Sequence, residues 1–367
     1  MKTDSPKPKS KLREWRDSVV FAVVVATLFR WSLAEAFVIP TSSMENSLLV
    51  GDYLLVSKIH YGSRTPRTPL QIPLTHQKIW GTEIPSYLDW IQLPSYRLPG
   101  LRKVERGEPV VFNVPQDLLD PTDRPIDLKT YLIKRCVAVA GDKLEIKNKQ
   151  LIVNGTPVPD PANAKYSYWV TSSEVINKRN LAKLHLDNED YTYLGRNEDG
   201  KAVYRMLLTV NQFNQVKSLA YVLSIDEEDD RHEHGGIPLF PSLMNGTWSR
   251  DNYGPLMIPQ KGLSINVNDL TLSAYGEIIK KYEGHENVKI HNHSLLIDGK
   301  EITQYVFTQD YYFMMGDNRH NSIDSRYWGF VPENHIVGKP LLIWMSIDQE
   351  TGWLHKIRWE RLFSLIR

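Results

Sequence analysis

The chain has 367 residues, 41% hydrophobic and 24% charged, with a formal net charge of +1. That is the composition of a folded globular protein, and the balanced charge gives no footprint for nucleic acid. The single cysteine, Cys136, excludes an intrachain disulfide and a cysteine-clustered zinc site.

Residues 1–17 carry Lys2, Lys7, Lys9, Lys11, Arg13 and Arg16 against Asp4, Glu14 and Asp17. Residues 18–39, SVVFAVVVATLFRWSLAEAFVI, follow and are broken only by Arg30 and Glu35. A helix of that length comes close to a hydrocarbon core of ~30 Å, so a transmembrane anchor is expected over 18–39. The basic flank would stay on the cytoplasmic side and the rest of the chain outside. Ala34-Glu35-Ala36 also imitates the small-x-small site of a cleaved signal peptide. Cleavage there would leave the hydroxyl-rich stretch that follows on a loose terminus, which favours an uncleaved anchor.

That stretch, TSSM at 41–44, precedes SLLVGDYLLVSKI, which reads as two strands about Gly51-Asp52. Residues 62–105 are rich in Pro, Arg and Tyr without a period and look like an inserted excursion. Strands return at 106–115 and at 130–158, the latter with Gly-Asp and Asn-Gly turns. At a constant offset, Leu144, Ile146, Leu151, Val153 and Gly155 correspond to Val288, Ile290, Leu295, Ile297 and Gly299. We read these as two hairpins with the same turn chemistry, since a repeat array needs three or more units. Residues 40–158 and 283–350 thus form two parts of one body, with 159–282 a polar helix-and-strand insert. His232 and His234, in its acidic loop, lack a third metal ligand fixed by spacing and read as a solvated segment. The basic 351–367 tail could lie on anionic lipid as an amphipathic helix or pack on the body. The fold class expected is mainly β, with inserted α/β segments and one N-terminal transmembrane helix.

A serine is a poor nucleophile without a base. The chain has no HExxH, no phosphate loop and no GxSxG elbow. In YLIKRCVAVAGD, strand alternation puts Lys134 on one face with Leu132, Cys136, Ala138 and Ala140, and Arg135 on the other. A lysine among small apolar side chains loses hydration and becomes a candidate general base. The plainer alternative is a lysine reaching out at the sheet edge. Residues 311–333, YYFMMGDNRHNSIDSRYWGFVPE, read as a strand running into a loop bonded to itself by Asn, Ser and Asp. His320 invites a Ser-His pairing, against which stands a structural loop with a surface histidine.

Taken in order, IPTSSMENSLLVGDYLLVSK, RGEPVVF, YLIKRCVAVAGDKL and GDNRHNSIDSRYWGFVP resemble the bacterial type I signal peptidases, membrane-anchored serine–lysine proteases. The resemblance implies a signal-peptidase-like β body in which Ser43 is the nucleophile and Lys134 the general base. It implies that the Thr41 hydroxyl and the Ser43 N–H form an oxyanion hole, and that Ser322 orients the lysine ammonium. Asp324 with Arg326 would be a structural ion pair, and Asp317 would pair with Arg135. Ile39, Met44, Leu48 and Ile133 would line shallow pockets for small side chains. No metal or cofactor is implied. The partners implied are signal peptides of exported preproteins and the lipid bilayer, with no nucleic acid. The implied location is the inner membrane, single-pass, with the body on the periplasmic face.

Three features depart from that pattern. Glu45-Asn46-Ser47 stands where the family places a proline two after the methionine, Thr41 replaces a serine, and 62–105 and 159–282 exceed a minimal member. A self-cleaving Ser-Lys protease of repressor type would need a DNA-binding N-terminus in place of 18–39. A membrane-tethered β binding module would carry the same loops without chemistry.

Overall fold

Ser10 caps the first helix, accepting from Arg13 N, and α1 runs Lys11–Ser32. The computed structural model describes residues 10–45, 47–115, 124–228, 237–244, 247–291, 293–348 and 356–366. The expected span over 18–39 is corrected. Ala34–Val38 is a strand, β1, and among the described residues no helix is long and apolar enough to cross a membrane. Arg30 ends the apolar run at Phe29. It pairs at 2.5 Å with Glu35, which also takes Lys58 at 2.8 Å. This ion cluster belongs to the body, and Phe37 of the same segment stacks edge-on against Tyr131.

The body is built on one antiparallel sheet. With β1 it contains β2 (Asp52–Ser57), β3 (Pro109–Asn113), β4 (Tyr131–Ala138), β5 (Tyr311–Met315), β6 (Val331–Pro332), β7 (Ile336–Ser346) and β8 (Ser364–Leu365). Their order across the sheet is β1-β2-β7-β3-β4-β5-β6, with β8 added on β7. Alternation along β5 splits two cores: Phe313 and Met315 join one cluster, Tyr312 and Met314 the other. Both faces of the central strands are therefore covered, which is why β3, β4 and β5 read as near-continuous apolar runs.

The two related stretches are the expected hairpins, with Leu144 opposite Val153 and Val288 opposite Ile297. Asn154-Gly155 and Asp298-Gly299 all have positive φ, the conformation that short hairpin turns demand. The insert forms its own four-stranded sheet from Tyr166–Ser172, Tyr191–Arg196, Ala202–Leu208 and Val222–Glu227. Helices α2 (Lys178–Lys183) and α3 (Val210–Lys217) complete a core around Tyr204, Met206 and Val216. His232 and His234 lie outside the described residues. A longer helix, α4 (Asp269–Tyr282), returns to the body and buries Ile278 and Ile279.

The tail packs on the body. Its β8 pairs with β7, Ile366 joins the cluster of Ile39 and Met44, and Arg361 forks onto Asp52 at 2.6 and 3.0 Å. The short strand forms because β7, at eleven residues, offers an otherwise unpaired edge along its far half.

Candidate active site

Ser43 sits in a single 3-10 turn, Ser42–Met44, entered from Thr41 in extended conformation. Loop 316–322, leaving β5, closes over this turn. Asn318 N donates to Ser43 O at 3.1 Å, Asn318 Nδ2 to Ser42 O at 3.4 Å, and Asn321 Nδ2 to Ser42 Oγ at 3.3 Å. The approach is too close for a side chain at 316: a Cβ there would lie 2.6 Å from Ser43 O. Glycine is required at this position.

Lys134 comes from the middle of β4, paired with Val110 of β3. It is 3% exposed, and its Nζ is hydrogen-bonded to Ser43 Oγ. Burial pushes its pKa down to about 8, against the pull of Asp324 and Asp317. The lysine therefore does not reach for solvent, and a neutral amine is available near physiological pH. Thr41 is exposed, with Oγ1 3.5 Å from Ser43 Oγ.

The supporting carboxylates sit beneath. Asp324, fully buried, forks onto Arg326 at 2.8 and 2.9 Å and accepts from Gly316 N at 3.1 Å. Burial alone would raise the Asp324 pKa, but Arg326 overrides it and holds the group below its usual range. Asp317 forks onto Arg135 at 2.8 and 2.6 Å and also accepts from Ser47 Oγ at 2.6 Å. Arg135 lies on the opposite side of β4 from Lys134, as alternation requires. Ser322 is 2% exposed and close to Gly316. Its Oγ has no hydrogen-bond partner among the described residues, so the implied bond to the lysine is not formed.

The residues implied as pocket walls are mostly interior. Ile39, Met44 and Leu48 are 3%, 1% and 0% exposed and share a cluster with Leu54 and Val111, against which the half-buried Ile133 packs. Met44 and Leu48 also border a cavity of about 220 Å³ with Ile343 and Ile366.

His320 is not part of the dyad. It is 1% exposed, accepts from Ser167 N at 3.1 Å and meets Asp251 at 2.8 Å through Nε2. Burial pushes its pKa down to about 4 despite Asp251, so it is a neutral tie between loop and insert. The surface histidine of the plainer reading is thereby corrected to a buried one.

The Glu45 departure belongs to a buried ion cluster that the sequence did not reveal. Glu45, two residues after Ser43, is 5% exposed and lies 3.4 Å from Lys165 Nζ, which is also ion-paired with Asp190. Lys165 N donates to Asp317 O, and Lys165 O accepts from Arg319 N. One residue thus joins the Ser43 turn, the 316–322 loop and the insert. Glu45, Asp187 and Asp190 could together face a metal ion, but the Lys165 ammonium already pairs with Glu45 and Asp190. The departure at Glu45-Asn46-Ser47 was the only signal; nothing in the sequence marked Lys165.

A buried lysine bonded to a serine hydroxyl, on an antiparallel β body, is the arrangement a serine–lysine hydrolase requires. The profile of the signal peptidase family, peptidase S26, matches residues 12–203 and 258–345. The chain is similar to "Signal peptidase I" of Buchnera aphidicola subsp. Acyrthosiphon pisum, 28% identical over 97% of this chain and 86% of that protein. It is also similar to "Signal peptidase I" of Haemophilus influenzae, at 27% over 98% and 77%, and of Helicobacter pylori (strain 26695), at 23% over 95% and 91%. The chain belongs to the signal peptidase family, peptidase S26.

Proposed function

We propose that this protein is a serine endopeptidase that removes N-terminal signal peptides from exported preproteins, cutting after small residues at Ala-x-Ala sites. The observation that carries the mechanism is the buried Lys134 amine bonded to Ser43 Oγ. The neutral amine takes the Ser43 proton as Oγ attacks the scissile carbonyl, forming a tetrahedral oxyanion. The Ser43 N–H and the Thr41 hydroxyl, whose Oγ1 lies 3.5 Å from Ser43 Oγ, receive that charge. Collapse expels the amine of the mature protein, which takes its proton from Lys134, and leaves an acyl-enzyme on Ser43. Lys134 then deprotonates water to release the signal peptide, and Ser43 regains its proton.

The paired Asp324–Arg326 and Asp317–Arg135 hold the loop that fixes the serine turn. Their roles are positional, since each carboxylate is committed to its guanidinium. Buried Ile39, Met44 and Leu48 set a shallow floor, consistent with a preference for small residues. Because no helix among the described residues can cross a membrane, what we propose for location is attachment. Helix α1 exposes Val20, Phe21, Val24, Val25, Leu28 and Phe29 along its length, and the membrane face is where signal peptides are delivered.

The test is cleavage of a preprotein bearing Ala-x-Ala by the detergent-solubilised protein, with the product's new N-terminus sequenced. Wild type is expected to cut after the second alanine, and Lys134→Ala to leave the preprotein intact. A binding module with catalytic-looking loops would cut in neither case and would resist acylating probes at Ser43.

A further inference from the structure

The first residues of the insert reach the Ser43 turn by two routes. Lys165, just ahead of the strand Tyr166–Ser172, lies alongside Asn318 in a parallel bridge. It donates from N to Asp317 O at 3.1 Å and accepts from Arg319 N at 2.9 Å. Asn318, gripped on both sides in this way, is the residue whose N–H donates to Ser43 O. The Lys165 side chain takes the other route. Its buried ammonium lies 3.4 Å from Glu45 Oε2, and Glu45 N closes the Ser43 turn by donating to Ser42 O at 3.0 Å. The ammonium is also fixed from the insert's side, by Asp190. The Asp190 carboxylate accepts from Asp187 N at 3.1 Å, and its carbonyl accepts from Leu207 N, in the strand Ala202–Leu208, at 2.7 Å.

An ion cluster that served stability alone could stand anywhere between insert and body. Here one arm ends two residues after Ser43 and the other on the residue bonded to its carbonyl. A single 3-10 turn is a weak frame by itself, and proton transfer needs Lys134 Nζ and Ser43 Oγ held within hydrogen-bond reach. A displacement of about 1 Å can cost on the order of 10²-fold in rate. We propose that Lys165 is a positioning residue for the reaction, setting Ser43 Oγ against Lys134 Nζ through Glu45 on one side and Asn318 on the other. The insert of 159–282 is then part of the catalytic scaffold. Lys165 acts through these two residues and takes no part in proton transfer. The inference rests on the proposed serine–lysine chemistry and names a further residue on which that chemistry depends.

Glu45→Ala severs the side-chain arm, whereas Glu45→Gln keeps it, since an amide oxygen still accepts from the ammonium. The full chain in detergent is assayed on an Ala-x-Ala peptide, at a temperature below the unfolding of every variant. Glu45→Ala and Lys165→Met should each lower kcat by about tenfold or more and leave KM within about twofold of wild type. Glu45→Gln should recover most of that loss. Val216→Ala, in the insert's own core, is the control: it should lower the melting temperature and leave kcat near that of wild type. The rate of Ser43 acylation by a β-lactam-type probe, read by mass spectrometry, should follow kcat across the series. If Glu45→Ala turns over like wild type, or Val216→Ala loses as much kcat as Glu45→Ala, the positioning role is overturned and Lys165 is only a structural tie. Wild type that is acylated but cuts no Ala-x-Ala peptide overturns the proposed substrate alone, and the acylation rates then decide for or against Lys165. Wild type that does neither overturns both.

Discussion

Lys134 Nζ is hydrogen-bonded to Ser43 Oγ across 91 residues of sequence, inside the body, while its neighbour Arg135 turns away to Asp317. One strand thus supplies the base on one face and, on the other, the arginine that anchors the loop over the serine. Ser43→Ala and Lys134→Ala should each abolish preprotein cleavage with circular dichroism unchanged. Lys134→Arg should not rescue, because a guanidinium stays charged and cannot take the proton. His320→Ala should lower the melting temperature and leave residual catalysis measurable at low temperature. Loss of turnover in His320→Ala alongside an active Lys134→Ala would reverse the assignment.

The lysine also sets the pH dependence. Only its neutral form is a base, so kcat/KM should rise with pH through about 8, the value to which burial lowers Lys134. Stability follows the same group. Below about pH 8 the native state must hold the ammonium out of water, a cost on the order of 3 kcal/mol relative to the unfolded chain. That cost fades as pH rises toward the ordinary lysine value. Lys134→Met should accordingly melt higher than wild type near neutrality, with the gain shrinking above about pH 9. A flat difference across pH would show that the amine is not desolvated.

Thr41 is close enough to Ser43 for its hydroxyl to meet an oxyanion formed there. Thr41→Val keeps the shape and removes the donor. The expected loss in kcat is roughly 10²–10³, with KM little changed. Thr41→Ser should recover most of it. Steady-state kinetics on a peptide substrate decide between this role and a merely structural one.

Much of this site is legible in residue order because strand alternation is a strong constraint. Lys134 between Leu132 and Cys136 could occupy only one face of β4, although a bulge carries Ala138 into the other core, and Asn154-Gly155 and Asp298-Gly299 could make only tight turns. The boundary at Leu33 was not legible. Ala34 to Ile39 are as apolar as the helix before them, and what makes them a strand is pairing with Asp52–Ser57, a tertiary fact. The Ser322 hydroxyl shows the opposite failure, since a motif position carried an implied bond that the geometry does not form. Lys165 was invisible for a third reason. A buried lysine paired to carboxylates on distant segments leaves no periodic trace, and 165 lies in a stretch that reads as a polar insert.

The Asp317–Arg135 pair invites a stability test separate from chemistry. Both oxygens of Asp317 are used by Arg135, and Ser47 adds a third donor. Asp317→Ala leaves a nearly buried guanidinium unpaired and should cost about 3–5 kcal/mol in urea unfolding. Arg135→Met with Asp317→Leu, which removes both charges, should recover much of that loss.

Glu45 gives the last prediction and explains why this chain tolerates an acid two residues from its nucleophile. Burial, with Asp190 nearby, pushes Glu45 up to about 7, against the pull of Lys165. An acid whose native pKa is raised is protonated in the fold at pH values where the unfolded chain has already lost the proton. The native state therefore loses stability as pH climbs from the ordinary glutamate value toward about 7. Glu45→Gln removes the charge and keeps the shape. It should raise the melting temperature at about pH 8 and leave it almost unchanged at about pH 5. Lys165→Met does the reverse, abandoning Glu45 and Asp190 in the interior, and should destabilise most at the higher pH. Thermal denaturation of the three proteins at both pH values separates these outcomes. Equal shifts at both pH values would mean that the fold does not raise the Glu45 pKa and that the cluster acts by packing alone.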